Sequence, residues 1–159
     1  MDRKTIMRRV VELSQRGMRG GFGGPYGTVI VKDGEIVGEG HNEVLATNDP
    51  TAHAEVLAIR RAGAKLGTFD LSGCEMYVNG TPCCMCMGSI LWAKISKVYY
   101  ALSPEASAEI GLGDEHLYAE MARPLGERQI VPMVNFPDMD DEAIAVYREW
   151  LAKPDRVQY

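Results

Sequence analysis

Two short segments of the chain carry residue types that bind metals and move protons. The first is His53-Ala54-Glu55, and the second is Pro82-Cys83-Cys84-Met85-Cys86. Proline suits the first turn of a helix, and cysteines three positions apart share one helix face. The free N–H groups at a helix start lower the pKa of a thiol. Cys83 and Cys86 could therefore hold a soft metal as thiolates.

A histidine completes a possible ligand set. His53 with the two cysteines would leave the fourth position of a tetrahedral zinc ion open, which is typical of catalytic zinc. Such an ion lowers the pKa of a bound water to about 7. Glu55 lies about 200° around a regular helix from His53, so we expect it to carry protons rather than bind the metal. The alternative is a closed structural site with Cys74, Cys84 or His41 as fourth ligand.

The composition is that of an ordinary globular protein. The chain has 159 residues, a net charge of −5, 46% hydrophobic and 25% charged residues, which excludes intrinsic disorder and collagen-like structure. No stretch reaches the roughly 18 apolar residues of a membrane helix, and the start lacks the apolar run of a signal peptide. We therefore expect no membrane partner, a cytoplasmic location and reduced cysteines.

The charge balance bears on nucleic acid as a partner. Dedicated nucleic-acid binders are usually basic, whereas this chain is mildly acidic. Six basic residues fall within the first 20 positions. We interpret them as a solvated helix face, with a small RNA-facing patch as the alternative, and expect no nucleic-acid partner.

Apolar periodicity predicts an alternation of helices and strands along one domain, residues 1–159. Helices are predicted at about 5–19, 51–66, 82–93, 115–121 and 140–151, and strands at 26–31, 35–40, 74–78, 98–101 and 130–134. Asp33-Gly34 predicts a hairpin turn, because this pair tolerates positive φ. Residues 41–50 are interpreted as a polar loop. The order indicates an α/β fold, a mixed sheet with helices on both faces.

The two metal-binding segments resemble a known signature. H-x-E followed by P-C-x-x-C, with a glutamate that does not bind the metal, is typical of zinc nucleobase deaminases. The chain is similar to the cytidine deaminase-like superfamily, most of all to its small bacterial guanine deaminases. Residues 23–27, 30–34, 48–52, 87–88 and 90–93 carry the rest of this resemblance. It implies a three-layer α/β/α fold with a central mixed sheet of about five strands.

The resemblance also implies an activity, the hydrolysis of guanine to xanthine and ammonia. One zinc ion per subunit would be held by His53, Cys83 and Cys86, with Glu55 as the catalytic proton carrier. The substrate contacts that we assign are Asn42, Asp114, Tyr26, Trp92, Ala54 and Tyr159. Simple core packing is the alternative for Trp92, and a helix N-cap is the alternative for Asp114.

Other functions stay open at this point. The substrate could be isocytosine, cytosine, guanosine or an aminotriazine instead of guanine. The chain could also deaminate adenosine in tRNA, or be a zinc-binding module without activity. Thr81 stands where many relatives have Glu, and Asn79-Gly80 differs from the Ser-Cys or Leu-type residues expected there. These two departures put the substrate preference in question.

The resemblance implies a homodimer as well. The C-terminal tail, about residues 152–159, would be exchanged between subunits, and Tyr159 would help to close the partner's active site. The alternative for Tyr159 is an ordinary frayed terminus.

Overall fold

The structure is a computed structural model that describes every residue from Met1 to Tyr159. Its contacts divide the chain into two compact units, Met1–Glu115 and His116–Tyr159. The strands are β1 (Gly27–Lys32), β2 (Glu35–His41), β3 (Glu75–Gly80) and β4 (Lys97–Leu102). The helices are α1 (Arg3–Arg19), α2 (Val44–Thr47), α3 (Ala54–Leu66), α4 (Cys84–Trp92), α5 (Pro104–Glu109), α6 (Glu115–Ala122) and α7 (Asp140–Ala152). None of these helices combines the length and the apolar character needed to cross a membrane.

A mixed four-stranded sheet forms the centre of the first unit. Its strand order is β2-β1-β3-β4, with β1 antiparallel to both neighbours and β3 parallel to β4. Lys32 pairs with Glu35 across the hairpin turn, where Asp33 has φ +50° and Gly34 has φ +81°. Two positive φ values suit the right-handed twist of the flanking strands. The predicted hairpin is therefore confirmed.

Helices cover both faces of this sheet, because its strands place apolar side chains on alternate sides. One face of the sheet, with Val29, Val31 and Tyr77, packs on α1 through Ile6, Val10 and Leu13. The other face, with Ile30, Met76 and Val78, packs on α3 and α4 through Ala58, Ala62 and Ile90. The predicted three-layer α/β/α fold is confirmed.

Glycines in β2 let α3 approach the sheet closely. A Cβ added at Gly40 would overlap the carbonyl oxygen of Ala54, and one at Gly38 would lie 2.9 Å from the Ala62 side chain. Only a strand without side chains at these positions leaves room for the helix backbone. The start of α3, which carries His53 and Glu55, is thereby held against the sheet.

The predicted strand at residues 130–134 is wrong, so the sheet has four strands rather than about five. This segment is irregular and lies between two 3₁₀ turns, Leu125–Glu127 and Pro137–Met139. The backbone N–H groups of Gln129 and Ile130 donate to the Glu120 carboxylate, at 2.6 and 2.7 Å. Pro132 has no N–H to offer a neighbouring strand. Local bonds therefore replace a strand ladder.

Two short helices, α2 and α5, were not predicted. The first interrupts the segment 41–50, which was interpreted as a loop. The second starts after Ser103, whose Oγ accepts a hydrogen bond from the Ala106 N–H at 3.3 Å. Ser103 followed by Pro104 is a typical helix-start pattern, so the sequence did contain a signal for α5.

Candidate zinc centre and active site

The possible metal ligands meet at the N-termini of two helices. His53 is the N-cap residue of α3, Cys83 is the N-cap residue of α4, and Cys86 lies in the first turn of α4. The Nδ1 atom of His53 is 3.6 Å from Cys83 Sγ and 3.4 Å from Cys86 Sγ. One ligand atom from each residue lies within 4.8 Å of the others. The structure thus brings together the three residues that the sequence selected.

The spacing of these atoms fits a tetrahedral zinc ion. Zn–N and Zn–S bonds of about 2.1 and 2.3 Å at tetrahedral angles place nitrogen and sulfur about 3.6 Å apart. The distances of 3.4 and 3.6 Å agree with this value. The cluster does not include Cys74, Cys84 or His41. Three protein ligands leave one position open, as in catalytic rather than structural sites.

The pKa values of the two thiols are shifted in opposite directions. A hydrogen bond from Cys86, with the nearby His53 imidazole, lowers the pKa of Cys83 to about 4. The pKa of the Cys86 thiol is raised, because it donates to that thiolate and is buried. The hydrogen bond with Cys83 raises the pKa of His53. A second thiolate in this place needs a compensating cation, which a divalent metal supplies.

Glu55 lies beside the cluster in the first turn of α3. Its side chain is buried, with 7% of the residue exposed, and burial raises the pKa of its carboxyl group. The carboxyl group is hydrogen-bonded with Cys86, which is one of the possible ligands. A buried carboxylate next to a metal ligand can exchange protons with a molecule bound at the open position.

Tyr26 and Asp114 lie close enough to the cluster to interact with its charges. Tyr26 is partly buried just before β1. Burial is the main cause that raises its pKa, and the negative charges of Asp114, Glu55 and Cys83 raise this pKa further. The Asp114 charge also acts on His53. Both residues therefore lie near the zinc ligands, and their contact with the substrate stays a prediction.

Asn42 and Ala54 are buried near the start of α3. The Oδ1 atom of Asn42 accepts hydrogen bonds from the backbone N–H groups of Gly24 and Val44, at 3.3 and 3.2 Å. A Cβ at Gly23 would overlap the same oxygen. These contacts set the orientation of the Asn42 amide, with Oδ1 directed at the main chain. Ala54 is the first residue of α3 and is fully buried.

Comparison with known proteins identifies the family. Residues 1–102 match the family described as the cytidine and deoxycytidylate deaminase zinc-binding region. The chain belongs to this family of zinc-dependent deaminases. His53, Cys83 and Cys86 fall within the matched region, so the metal of the cluster is one zinc ion per subunit.

Individual relatives add detail. The chain is 47% identical to the guanine deaminase of Bacillus subtilis over 130 residues, which are 82% of this chain and 83% of that protein. An X-ray structure of guanine deaminase from Bacillus subtilis matches 100% of this chain and 99% of its own, with a TM-score of 0.93 and 40% identity. A tRNA-specific adenosine deaminase of Aquifex aeolicus is 48% identical over 77 residues, 48% of this chain and 51% of that protein.

Two of the assigned substrate contacts are exposed side chains. Trp92 is the last residue of α4 and is 70% exposed, about 9 Å along the helix axis from Cys86. This placement gives no support to Trp92 as a partner for a base held beside the cysteines. Tyr159 ends the second unit and is 67% exposed.

The two departures from the resemblance have structural explanations. Thr81 Oγ1 donates to the carbonyl oxygen of Leu102 at 3.0 Å and so ties the end of β3 to the end of β4. Asn79 hydrogen-bonds the main chain on both sides of Tyr26. Sequence reasoning missed this function of Asn79. The only signal for it was an unexpected residue type at this position.

Proposed function

We propose that this protein is a guanine deaminase, which converts guanine and water to xanthine and ammonia. The observation that carries the proposal is the open set of three zinc ligands with the buried carboxylate of Glu55 beside it. The 47% identity to a guanine deaminase over 82% of the chain favours guanine among the possible rings.

The residues divide the chemistry between them. His53, Cys83 and Cys86 hold the zinc ion, which supplies a water nucleophile at neutral pH when it is bound. The Glu55 carboxylate accepts a proton from the attacking water and passes it to the ring nitrogen next to the amine-bearing carbon. It then takes the proton of the hydroxyl group that has added to this carbon and delivers it to the amino group, which leaves as ammonia while the carbon keeps the oxygen as a carbonyl.

The substrate contacts follow from the groups that each residue can offer. With Oδ1 directed at the main chain, Asn42 presents its NH₂ group as a donor to an acceptor on the base. The Asp114 carboxylate accepts from a ring N–H and an exocyclic amine. Tyr26 forms a flat apolar wall. The backbone N–H of Ala54, in the first turn of α3, lacks an intrahelical acceptor and would donate to the substrate.

The proposal includes a homodimer of single-domain subunits with exchanged tails. No residue between His116 and Tyr159 is buried, although Val134, Phe136 and Tyr147 are 87%, 68% and 67% exposed. A domain needs a hydrophobic core of its own, and large exposed apolar patches usually mark an interface. A second subunit would bury this surface, and residues 152–159 would bring Tyr159 to the partner's site.

We also propose a cytoplasmic location. The four cysteines are free, and the zinc ligands must stay reduced to bind metal. Immunoblotting of cell fractions tests this location, and recovery in a membrane or extracellular fraction would contradict it.

The decisive experiment is ammonia release by the zinc-loaded protein on guanine, isocytosine, cytosine, adenine, cytidine, guanosine and ammeline. Release from guanine alone is expected. Release from another ring would keep the zinc chemistry and replace the substrate. Silence on every free ring would overturn the proposal, and tRNA with salt-dependent binding would then be the next substrate to test.

A further inference from the structure

We infer that Asn79 is a positioning residue that fixes Tyr26 beside the active site; this inference rests on the proposed function. The Oδ1 atom of Asn79 accepts a hydrogen bond from the Gly27 N–H at 2.8 Å. Its Nδ2 atom donates to the Pro25 carbonyl oxygen, also at 2.8 Å. One planar amide therefore holds the main chain immediately before and immediately after Tyr26.

Asn79 acts from the face of the sheet opposite the zinc cluster. Val78 packs on the face covered by α3 and α4, and neighbouring side chains of a strand point to opposite faces. Asn79 accordingly reaches Ser14 of α1, with Nδ2 at 3.3 Å from Ser14 Oγ. It does not touch a base bound near the cysteines, and any influence on the substrate passes through Tyr26.

The helix α1 completes the clamp. Ser14 is buried, and its Oγ donates to the same Pro25 carbonyl oxygen at 2.7 Å. A Cβ at Gly27 would overlap the Val10 carbonyl oxygen and lie 2.8 Å from the Ser14 nitrogen. The main chain around Tyr26 thus packs closely on α1 and is hydrogen-bonded to side chains of both α1 and β3.

The Tyr26 ring lies between two glycines. A Cβ at Gly24 would be 2.9 Å from Cε2 of this ring, and one at Gly80 would be 3.8 Å from Cε1. Gly80 follows Asn79 directly, so the Asn79-Gly80 pair borders both the main chain and the ring of Tyr26. Tyr26 in turn lies within the influence of the Glu55 and Asp114 charges. A shift of its main chain moves the wall of the site.

Loss of the clamp should weaken substrate binding more than it slows the chemistry. In Asn79→Ala we expect the KM for guanine to rise about tenfold, with kcat changed less than about threefold, because α3 and α4 hold Glu55 and the zinc ligands. General destabilisation would instead reduce the amount of active enzyme and lower kcat. Glu75→Gln, at the other end of β3, is the matched control and should leave KM unchanged.

A double-mutant cycle tests whether Asn79 acts through Tyr26. In a Tyr26→Ala background, Asn79→Ala should raise KM by less than about twofold. Two results would overturn the inference. One is an equal rise in KM in both backgrounds, and the other is no rise in KM when Asn79→Ala is made in the chain that keeps Tyr26. Asn79→Asp, which loses the Nδ2 donor, carries the same comparison if Asn79→Ala does not fold.

A measurement without substrate separates this inference from the proposed function. Amide hydrogen exchange of Gly27 should be faster in Asn79→Ala than in the unmodified protein, because its acceptor is gone. Unchanged exchange would overturn the clamp. If the unmodified protein does not deaminate guanine, the proposed function fails, and this exchange still decides whether Asn79 holds the segment.

Discussion

The two compact units of the chain differ in whether they bury their apolar side chains. Every buried residue belongs to Met1–Glu115, where two clusters fill the space between the sheet and its helices. His116–Tyr159 has no buried residue, and its helices expose Tyr147 and Leu151 at 67% and 62%. A unit with a core can hold catalytic groups in fixed positions. A unit without one depends on another surface, which under our proposal is a second subunit.

The largest expected effect concerns the chemistry of the first unit. Glu55→Gln should lower kcat for guanine by about a thousandfold, because the amide cannot accept and deliver protons. Its zinc content should stay that of the unmodified protein, since Glu55 is outside the ligand set. Elemental analysis and an ammonia assay on the same sample measure both. Near-normal turnover would contradict the proposed mechanism.

The next effect concerns the tail of the second unit, which we propose to be exchanged between subunits. Tyr159→Ala should lower kcat/KM for guanine by about tenfold or more, as expected for the loss of one good substrate contact. If tails are exchanged, a heterodimer of Tyr159→Ala and Glu55→Gln subunits contains one intact site. It has Glu55 from one chain and Tyr159 from the other.

Mixing the two variants after mild dissociation should therefore restore activity. Activity that stays at the sum of the separate variants would mean that each tail serves its own subunit. Light scattering on the same samples establishes whether dimers are present.

Two matched glycine substitutions, one in each unit, should differ in how much they destabilise the protein. Gly40→Ala places a methyl group on the Ala54 carbonyl oxygen and should destabilise the protein by about 1–3 kcal/mol. Gly126→Ala, in the second unit, has nothing within 4 Å of the new methyl group and should be nearly neutral. Denaturant unfolding compares them. Equal losses would mean that α3 does not need its close approach to β2.

The smallest effect is a pH dependence in the first unit. Arg9 binds the Glu39 carboxylate through Nε and Nη2, at 2.8 and 3.0 Å, and holds the pKa of Glu39 below its usual 4.5. A lowered pKa stabilises the folded state above pH 4.5, and this contribution is lost as the pH falls through the folded value. The side chains are partly exposed, so we expect less than about 1 kcal/mol.

Unfolding of Glu39→Gln between pH 6 and 3 measures this contribution. The variant should be less stable than the unmodified protein at pH 6, and the difference should shrink towards pH 3. A difference that stays constant over this range would rule out the Arg9–Glu39 pair as its source.

Much of the fold could be predicted because its signals are local. The hairpin at Asp33-Gly34 needs only two residues that accept positive φ. Cys83 and Cys86 were found because a proline before paired cysteines marks a helix start, and His53 was added through the signature of H-x-E with P-C-x-x-C. The strand at residues 130–134 was predicted wrongly because its structure depends on a more distant residue. The local apolar run is typical of a strand, but the Ile130 N–H donates to the Glu120 carboxylate, ten residues earlier in the chain.

Residue types and short spacings were thus sufficient for the hairpin, the helix starts, the two cysteine ligands and the role proposed for Glu55. They act over a few bonds, so they hold in any compact fold. Tertiary packing alone decided that Nδ1 of His53 faces the thiols, that α3 rests on Gly40, and that Asn79 holds Tyr26 from the far side of the sheet. Those contacts join residues distant along the chain, and no local pattern encodes which distant group a side chain will meet.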